Sequence, residues 1–463
     1  FSGGFRTESA NDIASFSKSY WEKELGGIVG LCLHEDSEVL TNKGLVKIKN
    51  IEPDIEVLTP NGFKKVIGKT SRRLTSTESS FTIKTKLGEI TATEDHKIFA
   101  LESEFCKHDK YITCSPLVSC KKQRCKEYTN VKKVLWKPIK EITTDNWVGF
   151  PVIEGLEQKD FIIDFAEGTN YKAVGNRLFK KSSTDDLITC LEHLDKNGYV
   201  GKRTLAKKLG VAVSVATSAC SAFKSEWSIR KRFYHLDEEM QKEFFWFLGL
   251  YCGDGSTYKW TTEITIGWKN RRVFRKRLIR LFNALGIKWS WKIGKFNSWG
   301  SFRINGPLSD WLNFHMGKGF ASKRIPKMVW ESYITNRLSF IGGLIDSDGC
   351  LTTRDQNIAI AVKNINLAKE LNSLYLTCGI WSKFSSSFEI GKVDVPFSYS
   401  YLLTNYSEKC KVLNNKIVKN VTGVFIENNI LFAKVISSTK NKVDVSYYDI
   451  EIDDPSHCFV ANN

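Results

Sequence analysis

Two stretches in the middle of the chain, FFWFLGLYCGDGS at 244–256 and LSFIGGLIDSDGC at 338–350, repeat one pattern of apolar, glycine and acidic positions. Their acidic ends align at an offset of 94 residues, which pairs Asp254 with Asp348. Each stretch is apolar until it reaches Gly-Asp-Gly or Ser-Asp-Gly. The pair therefore predicts two equivalent helices, each ending at an aspartate.

The same register continues beyond the predicted helices. At the offset of 94, ITIGWKN at 264–270 aligns with IAIAVKN at 358–364, and with one gap LFNALGI at 281–287 aligns with LYLTCGI at 374–380. A chance match would not keep its register over three blocks, so the middle of the chain is a duplicated unit. Each copy predicts an apolar helix, then strands, then an amphipathic helix.

Small residues mark one face of each predicted helix. Gly249 and Gly253 lie four residues apart, as do Gly343 and Ser347, so each pair shares a helix face. Small faces allow two helix backbones to approach closely. Packing of the two copies through these faces would bring the two aspartates together at the helix ends.

Paired aspartates at this place indicate a metal site. Two adjacent carboxylates offer the oxygen ligands that hard divalent cations prefer. Such a cation can polarise a phosphodiester and lower the pKa of an attacking water. The alternative is that Asp254 and Asp348 are turn residues, each followed by a glycine that ends its helix. Repetition of the motif in a basic chain favours the metal site.

FLGLYCGDG at 247–255 and LIDSDG at 344–349 resemble the two motifs of the LAGLIDADG homing endonucleases, in particular the intein-encoded type of the yeast vacuolar ATPase and the type that acts in mating-type switching. The resemblance implies a pseudo-symmetric αββαββα endonuclease domain whose β-saddle lies in the major groove. It implies cleavage of double-stranded DNA at a long recognition site. It also implies that Asp254 and Asp348 ligate Mg²⁺.

A lysine before the second motif also matches this family. SKRIPKMVW at 322–330 resembles the Lys-x-Ile-Pro stretch of yeast intein endonucleases, in which the lysine is catalytic. The resemblance thus implies that Lys323 stabilises charge or activates water. Lys416, in EKCKVLNNKIVKN, is the pseudo-symmetric candidate, although no motif fixes the register there. The alternative is that both lysines are solvated surface charges.

Short segments on both sides of the duplication predict β structure. Residues 37–100 are rich in Val, Ile and Thr and are interrupted by Asn-Lys-Gly, Asn-Gly and Leu-Gly turns, which is typical of an all-β unit. The same texture returns from residue 430 onward. Because a piece of about 40 residues would hardly fold alone, the sequence favours one β domain divided by an insertion. Two independent small β domains are the alternative.

These β segments resemble the horseshoe-shaped Hint splicing domain of inteins. CLHEDSEVLTNKG at 32–44 resembles the first intein block, TATEDHKIF at 91–99 the Thr-x-x-His block, and YYDIEIDDPSHCFVAN at 447–462 the penultimate block. By this resemblance Cys32 attacks its preceding carbonyl and forms a thioester. The residues that hold and protonate the scissile peptide, or assist the later steps, are Thr93, His96, Asp449 and His457. Taken singly, such a cysteine is a small buried hydrophobe and such a histidine a structural residue; the order of the three blocks favours the splicing site.

The first and last residues of the sequence bear on whether the segment could complete splicing. FSGGFRTESAND at the start has neither an initiator Met nor the apolar segment of a signal peptide, so we expect 1–31 to be flanking host protein within a longer reading frame. The chain stops at Asn462-Asn463 without the terminal His-Asn and following Cys, Ser or Thr of inteins. We therefore expect a truncated sequence or a loss of C-terminal cleavage, and splicing that does not finish as written. In a free-standing relative, the Hint part would be a relic that helps to grip DNA.

Further basic segments are candidates for DNA contact. RTLAKKLGVAVSVATSACSAF at 203–223 resembles a helix-turn-helix with Gly210 at its turn; a plain helical hairpin is the alternative. Rows of basic residues usually form solvated faces, but the charge of this chain favours phosphate contact for some of them. The candidates are Arg230, Lys231, Arg232, Arg271, Arg272, Arg275 and Lys276.

Composition narrows the class of protein. The 463 residues include 68 Lys and Arg against 51 Asp and Glu, a net charge of +17, which indicates a polyanionic partner. Apolar residues at 42% and charged residues at 26% exclude a disordered chain, and no apolar stretch is long enough to span a membrane. The 12 cysteines, without an export signal, indicate reduced thiols in a nuclear or cytosolic setting. The irregular spacing of Cys106, His108, Cys114, Cys120 and Cys125 favours a basic Cys-containing loop over a zinc site.

The sequence thus predicts an α+β multidomain protein with five segments: host-protein flank 1–31, N-terminal Hint part 32–175, candidate helix-turn-helix 176–235, LAGLIDADG endonuclease domain 236–420 and C-terminal Hint part 421–463. The predicted function is Mg²⁺-dependent, site-specific cleavage of duplex DNA together with Cys-initiated autoprocessing, by a monomer that acts in the nucleus after synthesis in the cytoplasm. The alternative is a DNA- or RNA-binding protein with a decayed nuclease, such as a maturase or a regulator.

Overall fold

A computed structural model describes residues 32–59, 61–102, 133–153, 161–174, 177–180, 184–224, 232–258, 261–267, 271–294, 299–413, 423–427, 430–441, 445–454 and 459–462. Contacts divide the chain into two units. The first comprises Phe1–Glu157, Leu248–Gly253 and Arg324–Asn463, and the second comprises Gln158–Phe247 and Asp254–Lys323. Both units contain strands and helices, as expected for a mixed α and β protein.

The described strands are β1 Leu33–His34, β2 Glu38–Thr41, β3 Gly44–Lys47, β4 Glu56–Thr59, β5 Gly62–Arg73, β6 Ser80–Thr85, β7 Glu89–Thr93, β8 Lys97–Glu102, β9 Lys133–Pro138, β10 Trp147–Pro151, β11 Phe161–Asp164, β12 Tyr171–Val174, β13 Arg177–Lys180, β14 Phe233–Leu236, β15 Gly255–Tyr258, β16 Thr261–Gly267, β17 Trp289–Ile293, β18 Trp299–Asn305, β19 Gly349–Thr352, β20 Asn357–Val362, β21 Lys383–Ser387, β22 Ile390–Pro396, β23 Val424–Glu427, β24 Ile430–Asn441, β25 Ser446–Ile452 and β26 Ala461–Asn462. The described α-helices are α1 Asp185–Asn197, α2 Lys202–Leu209, α3 Val213–Lys224, α4 Glu238–Asp254, α5 Arg271–Ala284, α6 Pro307–Met316, α7 Lys327–Glu331, α8 Ile334–Asp348, α9 Ile365–Thr377 and α10 Ser400–Leu403. Short 3₁₀ turns occur at Ile48–Asn50, Ile139–Glu141, Phe320–Ser322, Phe397–Tyr399 and Cys410–Leu413.

Strands from both ends of the chain form one sheet network in the first unit. The hydrogen-bonded order is β26-β2-β4-β5-β25-β1-β7-β6-β24-β10-β8-β9, with β3 on β2 and β23 on β24. The long strands β5 and β24 each change partners along their length: β5 pairs with β4 and then β25, and β24 pairs with β23, β10 and β6. The apolar residues of this sheet network bury one core, which includes Val39, Val57, Ile83, Ala92 and Ile450.

The first unit also contains the second copy of the repeat. Its sheet has the order β19-β20-β22-β21, and helix α9 follows β20. The sequence predicts an amphipathic helix here, but α9 is buried on nearly every side from Leu367 to Thr377. The reason is that α9 contacts β20, β21 and β22 of its own sheet and also β3 and β10 of the larger one.

The second unit contains the strands and second helix of the first copy. Its sheet has the order β15-β16-β18-β17. The aromatic residues of α4 are fully buried, and the core continues through edge-to-face ring pairs. Phe247 and Phe282 have ring centroids 5.5 Å apart, and Phe282 and Phe302 have centroids 5.6 Å apart.

Helices α1, α2 and α3 bury a small core of their own in the second unit. Thr184 accepts a hydrogen bond from the Leu187 amide at the start of α1, which satisfies a free donor of the first turn. Gly210 ends α2 with φ of 66°, a left-handed conformation that glycine adopts without strain. The core is formed by Ile188, Cys190, Leu191, Leu194, Leu205, Ala206, Ala216, Ala219 and Cys220.

The strand registers of the two copies differ by two residues. Gly255 of the first copy pairs with Ile264, whereas Gly349 of the second pairs with Ile360. The β19–β20 connection is correspondingly longer, 353–356 against 259–260. A shift of two residues leaves every side chain on its original face of the sheet, so apolar residues stay in the core. Strand residues that are 94 apart in sequence nevertheless do not pair with equivalent partners in the two copies.

Among the described residues, no helix combines the length and the apolar character that crossing a membrane would require.

Candidate functional site

Each aspartate of the repeated motif ends a helix and is followed directly by a strand. Asp254 is the last residue of α4 before Gly255 begins β15, and Asp348 is the last residue of α8 before Gly349 begins β19. The position of each carboxylate is therefore fixed by two elements of regular structure. Asp348 is exposed to solvent.

The glycines of α4 allow a very close helix approach within the first unit. A Cβ atom at Gly249 would collide with the carbonyl of Phe340. One at Gly253 would collide with the Ser347 side chain and lie 3.0 Å from Oδ2 of Asp348. The small face of α4 thus packs against α8 at backbone distance, as the sequence pattern predicts.

The two acidic residues of the second motif have different surroundings. Asp346 is buried and its carboxylate accepts hydrogen bonds from the Ser407 hydroxyl at 2.8 Å, the Glu408 amide at 3.1 Å and the Lys409 amide at 3.0 Å. Asp346 therefore anchors the 407–409 turn. Asp348, which lies in solvent, is the carboxylate that a metal ion and a polyanion can reach.

Lys409 is a functional candidate that the sequence reasoning missed. Its ammonium donates hydrogen bonds to the carbonyls of Ser347 at 2.9 Å and Gly349 at 2.8 Å, which flank Asp348. It places a positive charge at the carbonyl end of α8, where the helix dipole favours a cation. Lys409 lies 62 residues after Ser347 and 60 residues after Gly349 in sequence, so no local motif could have indicated this contact.

Lys323 follows the Phe320–Ser322 turn with an extended backbone. Its side chain is buried, with 7% exposed. A buried ammonium must be compensated by hydrogen bonds or a counter-charge, so Lys323 is not an ordinary solvated surface lysine.

The proposed autoprocessing residues Cys32 and Thr93 are in direct contact. The Cys32 amide donates to the Thr93 hydroxyl at 3.2 Å, and the Thr93 amide donates to the Cys32 carbonyl at 3.0 Å. The His96 amide in turn donates to the Thr93 carbonyl at 2.9 Å. The Thr-x-x-His turn thus holds the backbone of Cys32 on both sides.

Asp449 belongs to the same site. β1 pairs Leu33 with Tyr448, so continuation of the register brings Cys32 opposite Asp449. Burial raises the pKa of the Asp449 carboxyl to about 6. Burial, and then the charge of Asp449, raises the pKa of the Cys32 thiol, while a hydrogen bond from Arg72 lowers it. A thiol and a carboxyl, both with raised pKa values, therefore lie close together.

Of the predicted DNA-contact residues that the structure describes, one is held in an ion pair and others are exposed. Arg232 forms a bidentate ion pair with Asp164, with Nη2 to Oδ2 at 2.8 Å, so its charge is already compensated. Arg272, Arg275 and Lys276 are exposed on α5; their spacing places them on one helix face. Arg271 begins the same helix.

Helices α2 and α3 present polar surface outward. Lys202, Arg203, Lys207 and Lys208 of α2 are exposed. Among the side chains of α3 that the structure describes, the exposed ones are Val213, Ser214, Thr217, Ser218 and Ser221. A basic first helix and a second helix with small polar side chains are compatible with contact to a nucleic-acid backbone and groove.

Several predicted residues lie outside the described residues: Lys416, His457, Arg230, Lys231 and the cluster Cys106, His108, Cys114, Cys120 and Cys125. Within the described ranges, no group of three or more His, Cys, Asp or Glu side chains could hold a metal ion.

Residues 335–417 match the family model of the LAGLIDADG-like domain. The match begins within α8, includes Asp346, Asp348 and Lys409, and spans the second copy of the repeat. No curated protein matches the chain significantly.

Several solved structures are also similar to part of the chain. Mesophilic variants of the homing endonuclease I-DmoI show 16% identity and a TM-score of 0.30 over 36% of this chain and 96% of that one. I-DmoI in complex with DNA and Mn shows 14% identity and a TM-score of 0.30 over 38% and 99%. Full-length DUF199/WhiA from Thermatoga maritima shows 12% identity and a TM-score of 0.27 over 40% and 64%.

Proposed function

We propose that the protein is a site-specific endonuclease that cuts double-stranded DNA and is embedded in a Cys-initiated autoprocessing domain of the intein type. The observation that carries the nuclease proposal is the close packing of α4 on α8 at Gly249 and Gly253, which ends at Asp348. A LAGLIDADG-like domain at 335–417 supports it. The net charge of +17 supports a nucleic-acid partner.

In this proposal Asp254 and Asp348 hold Mg²⁺. Carboxylates are the ligand type that suits such an ion, because Mg²⁺ is usually held by one or two of them while water and substrate phosphates complete its shell. When bound, the ion lowers the pKa of water and stabilises the leaving oxygen. Lys323 and Lys416 stabilise charge on the phosphate, and Lys409 holds the end of α8 that carries Asp348.

DNA contacts outside the cleavage site come from the exposed basic residues. Arg272, Arg275 and Lys276 contact phosphates, with Arg271, Arg230 and Lys231 as further candidates. Helices α2 and α3 act as a helix-turn-helix that adds further DNA contacts. Arg232 is better suited to a structural role because Asp164 neutralises it.

In the autoprocessing domain, Cys32 attacks the carbonyl carbon of Leu31, and a thioester replaces the peptide bond. Thr93 and His96 orient that peptide, and Asp449 and His457 assist the steps that follow. The contact between Cys32 and Thr93 supports this assignment. The flanking host segment is then released or joined, and the monomeric nuclease acts in the nucleus.

The nuclease is tested with duplex DNA of the chain's own locus from which the coding sequence for residue 32 onward is removed, in Mg²⁺. Wild type should cut at one position, and Asp254→Asn and Asp348→Asn should lose cutting by about 1,000-fold or more while DNA affinity is retained. Asp355→Asn, at an exposed aspartate in the β19–β20 connection, is the matched control. Retained cutting by Asp348→Asn would contradict the proposal.

Autoprocessing is tested by thiol-induced release of residues 1–31. Cys32→Ala should abolish release, whereas Cys350→Ala, at an exposed cysteine, should leave it unchanged. Release by Cys32→Ala would show that another residue is the nucleophile.

A further inference from the structure

Arg72 lies on the same sheet face as the residues proposed for autoprocessing. β5 and β25 pair Arg72 with Tyr447 and Thr70 with Asp449. Directly opposed residues of an antiparallel pair share a face, as do residues two apart on one strand. Arg72 and Asp449 therefore lie on the sheet face that carries Cys32, and the Arg72 guanidinium lowers the pKa of the thiol through a hydrogen bond and its charge.

A second contact fixes the Arg72 side chain. Glu78 accepts a hydrogen bond from Nη1 of Arg72 at 2.5 Å, and its other oxygen accepts one from the Thr75 amide at 2.8 Å. Glu78 is thus held by the turn that connects β5 to β6. A guanidinium anchored at one end has less rotational freedom to lose when it contacts a second partner.

We propose that Arg72 is a catalytic residue of the autoprocessing reaction, in which its guanidinium stabilises the Cys32 thiolate that attacks the preceding carbonyl. This inference rests on the autoprocessing function proposed above. In the step, a bond forms between the Cys32 sulphur and the Leu31 carbonyl carbon, and the carbon–nitrogen bond between the two residues breaks. The thiol proton ends on the amino group of Cys32, and Arg72 keeps its charge throughout.

The surroundings of Cys32 explain why such a group is needed. The thiol is 1% exposed, and both burial and the Asp449 carboxylate raise its pKa. A thiolate, not a thiol, is the nucleophile. Arg72 is a cation that opposes both effects. Glu78 holds it in place, although the Glu78 charge itself raises the pKa of the thiol to a smaller extent.

The test uses the full chain and the variants Arg72→Met and Arg72→Lys. Two quantities are measured: the rate of thiol-induced release of residues 1–31, and the pH dependence of Cys32 alkylation by iodoacetamide, followed on the Cys32 peptide by mass spectrometry. Arg72→Met should slow release about 100-fold and move the alkylation midpoint up by about one pH unit. Arg72→Lys should recover part of both. Arg73→Met, the exposed neighbour that faces the other side, should change neither.

Thermal unfolding checks that each variant folds. If Arg72→Met does not, Arg72→Gln, which keeps a polar side chain without the charge, should show both effects. Unchanged release and unchanged alkylation in a folded Arg72 variant, with release still abolished by Cys32→Ala, would overturn the role of Arg72 and leave autoprocessing intact. Absence of release from the wild type would overturn autoprocessing and the catalytic role together.

Discussion

The two copies of the repeat carry opposite charges at equivalent positions. Glu243 on α4 corresponds to Arg337 on α8 at the offset of 94, and Arg277 on α5 corresponds to Glu370 on α9 at the offset of 93 that follows the gap. In the first copy the two residues form an ion pair, with Nε of Arg277 2.9 Å from the Glu243 carboxylate. In the second copy both are turned to other partners.

The first pair lies near the surface, and the second is buried. Arg277 and Glu243 keep 19% and 13% of their side chains exposed, and the guanidinium also lies over the Trp246 ring at 3.7 Å. Arg337 has no exposed surface and donates to the backbone carbonyls of Ile153 and Thr377.

Glu370 is 3% exposed and accepts from the Ile325 amide at 2.9 Å. The difference follows from the neighbours, since α9 packs on the large sheet as well as its own. The comparison shows that equivalent helices of a duplicated fold keep their positions, while the partners of their charged residues depend on the sheet that packs beside each copy.

The largest effect is expected from a substitution that disrupts the contact between α4 and α8, the first helices of the two copies. Gly249→Ala places a Cβ against the Phe340 carbonyl, and because the obstacle is backbone, neither helix can yield locally. We expect a loss of about 4 kcal/mol in the free energy of unfolding, measured by urea denaturation. Gly267→Ala, where no atom lies within 4 Å of the added Cβ, is the control. Equal stability of the two variants would show that the helices do not pack through this face.

The second prediction concerns the buried carboxyl of the second copy. Burial raises the pKa of Glu370 to about 7, against an ordinary value of 4.5, and the hydrogen bond from Ile325 opposes the shift only in part. Because the folded-state pKa is raised, the folded state favours the protonated form, and stability falls as pH rises from about 4.5 to about 7. Glu370→Gln removes this loss, so the variant should be more stable than wild type at pH 8 by about 2 to 3 kcal/mol.

Below pH 4.5 the advantage of Glu370→Gln should disappear, and urea denaturation at both pH values measures it. A difference between variant and wild type that does not depend on pH would show that Glu370 has the same pKa in the folded and unfolded states, and would contradict the raised pKa.

The third prediction tests the buried arginine. Arg337→Met keeps the volume of the side chain but removes donors to two backbone carbonyls. The Thr377 carbonyl retains the Ile153 amide at 3.0 Å, and loss of the buried charge offsets part of the cost. We therefore expect a destabilisation of about 2 kcal/mol. Arg337→Lys should be no better than Met, since a single ammonium cannot reproduce the guanidinium fork; full stability of the Lys variant would contradict this account.

The sequence was sufficient to predict the helices of the repeated unit. The helices that end at Asp254 and Asp348, and the small face at Gly249 and Gly253, follow from spacing alone because helix periodicity is local. The predicted amphipathic character of α9 was wrong, because its burial depends on a sheet formed by residues far away in the chain.

The same limit applies to the candidate site. Alignment of the motifs could not show that Asp346 is tied to the 407–409 turn while Asp348 is exposed. Lys409 reaches the end of α8 from a segment with no motif, and Arg72 reaches Cys32 across a sheet. Contacts between distant strands and turns are set by tertiary packing, which short-range patterns do not encode.

The smallest effect is expected at the ion pair of the first copy, where the sign of the change in the free energy of unfolding distinguishes the two copies. Glu243→Gln removes a carboxylate that contacts Arg277 at 2.9 Å and Arg280 at 3.1 Å. The pair is partly solvated, so its contribution is screened and we expect a loss of about 1 kcal/mol at pH 8 and low salt, decreasing as salt is added. The same chemical change, Glu to Gln, should thus destabilise the first copy and stabilise the second. If Glu243→Gln also stabilised the protein, the exposed Glu243 and the buried Glu370 would respond alike. The packing of α9 on the larger sheet would then not explain the difference between the two copies.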